Sequence, residues 1–188
     1  RFMVVNGFYA ITTSMPEKSF LILVTRTTGR NSSGNITVSS SGGGHKRRYR
    51  LIDFMRNEAG VAEVLSIEYD PNRTAFIALT QFEDGEKRYI VAPNGLSVGS
   101  KIASGEGSTP DIGNAMRLAD IPLGTIMSCI ELRPVQGAVI ARSAGTFAQL
   151  MAKDGKFVTI KLPSGETRLI LAECLAMIGA VSNSDHQL

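Results

Sequence analysis

The stretch Gly42–Arg50, GGGHKRRYR, holds the densest set of chemically capable side chains in the sequence. Lys46, Arg47, Arg48 and Arg50 place four of the twenty Lys and Arg residues within five positions, and no acid follows until Asp53. Gly42, Gly43 and Gly44 carry no Cβ, so their backbone can take positive φ and press closely against a surface. Ammonium and guanidinium groups beside such a backbone suit phosphates, and arginine can fork onto one phosphate through two N–H groups. His45 could hydrogen-bond or stack on a nucleotide, and Tyr49 could do the same. Local composition leaves two readings open: a phosphate-binding ribbon, or a loose glycine loop followed by a solvated charged strand.

Two further arginines have suggestive settings. Arg73 ends the turn Asp70-Pro71-Asn72-Arg73 and should project from a hairpin tip. Arg142 stands among Gly137, Ala138, Ser143, Ala144 and Gly145, small residues that let a bulky partner approach. The plainer reading of each is an exposed arginine that touches nothing.

Catalytic constellations are scarce. The two histidines, His45 and His186, have no nucleophile or carboxylate at a recognisable spacing, and His186 reads as a surface residue. GGGHK departs from GxxxxGK[ST], and Arg47 stands where the Mg²⁺-binding hydroxyl would be. Ser143 in ARSAGT lacks the GxSxG frame. Asp53, Asp70, Glu83 and Asp84 show no metal-loop spacing. Cys129 and Cys174 form no CxxC pair and lie in apolar runs, so they read as buried thiols rather than zinc ligands or a disulfide. No catalytic residue, metal or cofactor is expected, and the chain is not read as an enzyme.

With 188 residues, 43% hydrophobic and 20% charged, the chain can bury real cores. It has no Trp, so those cores must come mainly from Ile, Val, Leu, Ala and Met. The net charge of +3 hides an asymmetry. Residues 1–60 carry nine basic and three acidic side chains, whereas residues 61–188 carry eleven and fourteen. A positive first third is the footprint of a polyanion binder. No apolar run approaches the roughly 20 residues of a membrane helix, so no membrane span is expected.

The elements that must position these groups read as short strands. Residues 1–28 read as an extended N-terminal arm. Gly29–Ser41 is turn-rich around a short β segment at Ile36–Val38, and Leu51–Phe54 reads as a strand. Val61–Tyr69 alternates, with Val61, Leu65, Ile67 and Tyr69 on comparable faces. DPNR then turns the chain into Thr74–Phe82, and Asp84-Gly85 marks a hairpin returning through Lys87–Ala92. Another strand centres on Ile102. The Gly105–Gly113 loop is the best boundary. Beyond it come a strand over Gly124–Leu132 and a hairpin, Phe147–Ala152 with Phe157–Leu162. Glu166–Leu171 follows, then an apolar run over Leu169–Ile178 that periodicity cannot assign to helix or strand. Short strands with tight turns point to two small barrels, because closure removes exposed edges.

The motifs GRNSSGNITV, GGGHKRRYRLIDF, IEYDPNRTAFIAL, DGEKRYIVAP, IPLGTI, IELRP, ARSAGT, LPSGE and AECLAMIGAVSN, in this order, closely resemble the universal large-subunit ribosomal protein family number two. The resemblance covers about residues 29–188. It implies an all-β fold: an OB-fold barrel over 29–112 followed by an SH3-like barrel over 113–188, after the arm at 1–28. It implies binding to large-subunit rRNA, with roles in subunit association and the peptidyl-transferase region. Partners implied are neighbouring ribosomal proteins and small-subunit rRNA at the subunit interface. Arg73 and Arg142 match family arginines that contact rRNA, and the Gly42–Arg50 ribbon matches a stretch lying on rRNA. Two departures stand out. Ser39-Ser40-Ser41 replace basic residues before the glycines, and the family's basic, histidine-bearing C-terminal extension is not among these residues. The departures suggest a mitochondrial ribosome, with plastid or bacterial ones as alternatives, and leave the extension to a separate chain, to a part outside these residues, or to loss.

Overall fold

The computed structural model describes residues 9–24, 27–41, 44–56, 58–105 and 107–187. Strand β1 (Leu21–Leu23) pairs antiparallel with β2 (Arg48–Arg50). Then β3 (Gly60–Glu68), β4 (Ile77–Phe82) and β5 (Lys87–Val91) form an antiparallel meander, and β6 (Lys101–Ser104) pairs with the other edge of β3. The second half holds β7 (Ala115–Arg117), β8 (Ile126–Ser128), β9 (Ile130–Glu131), β10 (Ala138–Ile140) and β11 (Ala148–Asp154). It ends with β12 (Phe157–Lys161), β13 (Thr167–Leu171) and β14 (Leu175–Ile178). The protein is all-β, an OB-fold barrel followed by an SH3-like barrel. Among the described residues the helical segments are two short 3-10 turns, Lys18–Phe20 and Ser184–Gln187, and no helix is long and apolar enough to cross a membrane.

Each half has its own apolar core. Ala62, Val64, Ile67, Ala78, Ile90 and Ile102 fill the first. Met116, Leu118, Ile121, Met127, Leu150, Val158 and Ile160 fill the second. A fully buried aliphatic side chain contributes about 1.5–3 kcal/mol, so these short strands are held by side-chain burial more than by ladder length. Ala75, Val91 and Val181, with Ile52, Phe54 and Cys129 packed against them, join the two halves. One sheet order, β13-β12-β11-β8-β14-β7-β6-β3-β4-β5, runs through both, with β6 and β7 paired in parallel at Ser104 and Ala115.

Several strand expectations are revised. The face of β3 in the core is Ala62, Val64 and Ile67, while Val61 and Tyr69 are exposed. A bulge between Val64 and Ser66 shifts the two-residue period by one position, which no simple alternation can anticipate. Ile36–Val38 is not a strand: Arg30 and Ile36 make a lone bridge, and Thr37 and Val38 donate to the Gly29 carbonyl. Leu51–Phe54 is no regular strand either, with a single parallel bridge from Ile52 to Tyr89. The strand over Gly124–Leu132 breaks at Cys129, whose φ of 50° cannot continue a ladder. The apolar run 169–178 is the end of β13, a turn, and β14.

The N-terminal arm is stitched to the first barrel. Thr12 exchanges hydrogen bonds with the Ile67 backbone, 2.9 Å from each N–H. The Glu17 N–H donates to the Tyr89 hydroxyl at 2.9 Å, which donates in turn to buried Glu68 at 2.8 Å. Burial, reinforced by the Glu68 carboxylate, pushes the Tyr89 phenol well above its ordinary range. Phe20 meets the Tyr89 ring edge-on at 5.7 Å.

Two charged groups, half-buried Arg56 and buried Glu131, serve the junction of the halves. Arg56 donates to the Gly113 carbonyl at 2.6 Å and to Ser104 Oγ at 2.9 Å, tying together the two ends of the Gly105–Gly113 loop. Its burial pulls the guanidinium down to about 10, and nearby Asp53 opposes that shift. Glu131, 1% exposed, accepts from the backbone N–H of Gly137 at 2.9 Å and of Leu175 at 3.0 Å.

Glu131→Gln replaces one acceptor oxygen with a donor facing an N–H. It is expected to cost about 1–3 kcal/mol, read as a shift in the urea midpoint, while exposed Glu166→Gln should stay within about 0.5 kcal/mol. Burial also raises Cys129 to about 12 and Cys174 to about 11, from an ordinary 9.0. A raised thiol stabilises the fold fully below pH 9, and that contribution is lost as the pH climbs through the folded values. Unfolding free energy should therefore decline from pH 9 to pH 11, and decline less in the Cys129→Ala/Cys174→Ala double variant. Equal declines would refute it.

Candidate nucleic-acid interface

The basic ribbon is anchored at its C-terminal end. In register with β1, Arg48 faces Leu23, Tyr49 faces Ile22 and Arg50 faces Leu21. The Leu51 N–H adds a bond to the Phe20 carbonyl at 2.9 Å. Residues 48–50 are thus a paired strand rather than a loose one. Gly44, His45, Lys46, Arg47 and Arg48 are exposed, and Gly44 has a φ of 76°, a backbone state that glycine adopts without cost. Gly42 and Gly43 lie outside the described residues.

The DPNR turn grips this ribbon from the other side. Arg47 donates to the Pro71 carbonyl at 2.7 Å, and Asn72 Nδ2 donates to the Arg48 carbonyl at 2.7 Å. At the centre lies Asp70, with no exposed surface. Its Oδ1 accepts from the Asn72 backbone N–H and from Asn72 Nδ2, both at 2.9 Å. Its Oδ2 accepts from Arg73 Nε at 2.5 Å. Arg50 Nη1 stands 3.8 Å from Oδ1 and donates to the Arg48 carbonyl at 3.0 Å.

Two site residues therefore differ from expectation. Arg73 does not project from a tip. It folds back on Asp70, and its guanidinium lies 5.7 Å from the ring centres of both Tyr49 and Phe54. Arg50 is turned into the protein, 9% exposed, and braces the ribbon instead of facing outward. The physical reason is the same for both: a buried carboxylate requires cations and N–H donors around it.

Arg142 reaches this place from the second barrel. Its guanidinium lies 5.1 Å from the Phe54 ring centre, and Nη1 donates to the Ala138 carbonyl at 3.2 Å. The ARSAGT loop docks on the turn after DPNR, where the Ala144 N–H donates to Thr74 Oγ1 at 3.1 Å. Gly145 has a φ of 68°, and a Cβ there would stand 3.1 Å from the Ser184 backbone, so this loop packs closely against the following segment. Asn183 Nδ2 donates to the Thr74 carbonyl at 2.7 Å. One groove is lined by Arg47, Tyr69, Asn72, Arg73, Asn183 and His186, so it collects His186 as well. A neighbouring groove is lined by His45, Lys46, Arg47, Arg48 and Arg50, with Pro16 and Leu21 of the arm at its edge.

Sequence reasoning missed Phe54, Asp70 and Asn72. DPNR carried a signal for Asp70, since an acid three residues before an arginine can pair with it. Phe54 carried none, because its importance comes from two arginines far away in sequence. The chemistry available here is binding by cations, N–H donors and aromatic faces. Among the described residues no three His, Cys, Asp or Glu side chains could share a metal ion.

The profile described as "Ribosomal Proteins L2, RNA binding N-terminal domain" matches residues 17–104, and "Ribosomal Proteins L2, C-terminal domain" matches residues 111–188. The large ribosomal subunit protein uL2 of Flavobacterium psychrophilum is 68% identical over 189 residues, covering 100% of this chain and 69% of that protein. The protein of the same name from Christiangramia forsetii is 66% identical over 190 residues, covering 100% and 68%. That of Parabacteroides distasonis is 56% identical over 189 residues, covering 100% and 69%. These relatives are bacterial, so the mitochondrial expectation finds no support and the bacterial alternative fits.

Asp70→Ala leaves Arg73 and Arg50 without their counter-charge in a mostly dry setting. The expected loss is about 3–5 kcal/mol of folding stability, measured by urea unfolding. A loss below about 1 kcal/mol would show that Asp70 is not the hub of this face.

Proposed function

The chain belongs to the uL2 family of large-subunit ribosomal proteins, and we propose from that premise how it holds RNA. It is a structural constituent of the large ribosomal subunit that binds large-subunit rRNA. Our reading assigns the contacts to the ribbon Gly42–Tyr49 and to Arg73 and Arg142, with Arg50 bracing the ribbon from within. The single observation that supports this is convergence: the ribbon, the DPNR turn and the ARSAGT loop share hydrogen bonds and ring contacts. Cations held on a stiff β frame neutralise phosphates without first losing much conformational freedom. Glycines and other small residues let the sugar–phosphate chain come close.

In this reading residues 29–112 and 113–188 are two RNA-facing barrels behind an arm at 1–28. The protein performs no chemistry of its own. It serves a bacterial ribosome, beside neighbouring ribosomal proteins, and supports subunit association and the peptidyl-transferase region. Small-subunit rRNA is a further proposed partner.

Salt dependence tests the assignment. Each phosphate contact contributes about 0.7–0.9 to the slope of log K against log salt, so Arg47→Ala/Arg48→Ala should lower the slope for an rRNA transcript by about 1.5. Arg142→Ala should cost about 1.5–3 kcal/mol of affinity at moderate salt. Filter binding reads both quantities. An unchanged slope together with unchanged affinity would remove these residues from the interface.

A further inference from the structure

We infer that Phe54 is a positioning residue that sets Arg142 of the second barrel beside Arg73 of the first, making one two-arginine clamp for neighbouring phosphates of a single RNA strand. The inference rests on the reading above that these arginines face rRNA. Both guanidinium groups take the same ring: Arg73 at 5.7 Å and Arg142 at 5.1 Å from its centre. Their separation cannot exceed those two distances laid end to end. Two cations on one ring repel each other, and an aromatic face offsets part of that repulsion while leaving N–H edges for an anion.

The two arginines are not held equally. Arg73 has Asp70 and Tyr49 as well as Phe54. Among the described residues, Arg142 has the Phe54 ring and the Ala138 carbonyl. Phe54 itself is fixed to the chain that carries Arg142, since its carbonyl accepts from the Ala138 N–H at 2.9 Å. The apolar group of Ala75, Val91 and Val181 supports it. The ring therefore sits where the barrels meet and registers one arginine against the other. Cys129 packs against the same apolar group as Phe54.

The test is a double-mutant cycle on the 188-residue chain, with an in vitro transcript of bacterial large-subunit rRNA as the probe. Phe54→Leu keeps apolar bulk and drops the π face. It should weaken binding about tenfold, whereas Phe54→Tyr should bind within about twofold of the parent. With Arg142→Ala already present, adding Phe54→Leu should cost no more than about twofold further. Affinities are compared well below each variant's melting temperature, since loss of packing alone would weaken binding equally in both backgrounds. Equal losses in the two backgrounds, or parent-like binding by Phe54→Leu, would overturn the clamp while leaving the rRNA-binding face intact. Parent-like binding by Arg142→Ala would overturn both.

Discussion

Asp70 is a carboxylate with no exposed surface, and burying such a group is costly unless it is paired and hydrogen-bonded. Its surroundings come from three residues: Asn72 and Arg73 of its own turn, and Arg50 of the basic ribbon. Satisfying the carboxylate therefore fixes the ribbon against the turn. Asn72 extends the hold to the Arg48 carbonyl, and Arg47 reaches the Pro71 carbonyl. Lys46, Arg47, Arg48, Arg73 and Arg142, exposed or half-buried around one face, would otherwise repel one another, and a dry negative charge beneath the ribbon and the turn opposes that repulsion.

Position of the face between two barrels follows from a second requirement. Each barrel closes around its own aliphatic core, but Thr74, Phe54 and Val181 lie where the two meet. Gly137, at a φ of 82°, lays backbone of the second barrel against Phe54, 3.5 Å from where a Cβ would stand. Arg56 and Glu131 spend their polar groups on backbone partners near the same junction. Packing and hydrogen bonds from both halves thus hold the junction, and Arg73 and Arg142 both lie against its Phe54 ring.

Much of the fold was legible because turns are local chemistry. Asp84-Gly85 closes β4 to β5, Asp154-Gly155 closes β11 to β12, and the strands between them read from β-branched residues. What misled was phase and continuity. The bulge beside Leu65 moved Ile67 out of the expected alternation, and the φ of Cys129 cut one apolar run into two strands. Leu51–Phe54 looked like a strand and instead supplies single contacts to Tyr89 and Ala138. Of the candidate site, the exposed cations were legible as charge, and Arg73 and Arg142 were legible through resemblance. Phe54 was not, since nothing adjacent to it in sequence marks it.

By itself the sequence determined that this is an all-β chain with a concentrated basic ribbon, and its ordered motifs determined the family. Those properties belong to neighbouring residues: turn formers, alternation and runs of charge. Only the tertiary structure decided which arginines face outward. Arg48 and Arg50 are two positions apart on one strand, yet one is exposed and the other is buried. The difference is Asp70, twenty positions or more away, whose unexposed carboxylate draws Arg50 into the protein while Arg48 stays exposed. Which cation a buried anion recruits depends on distance in space, and sequence order does not carry it.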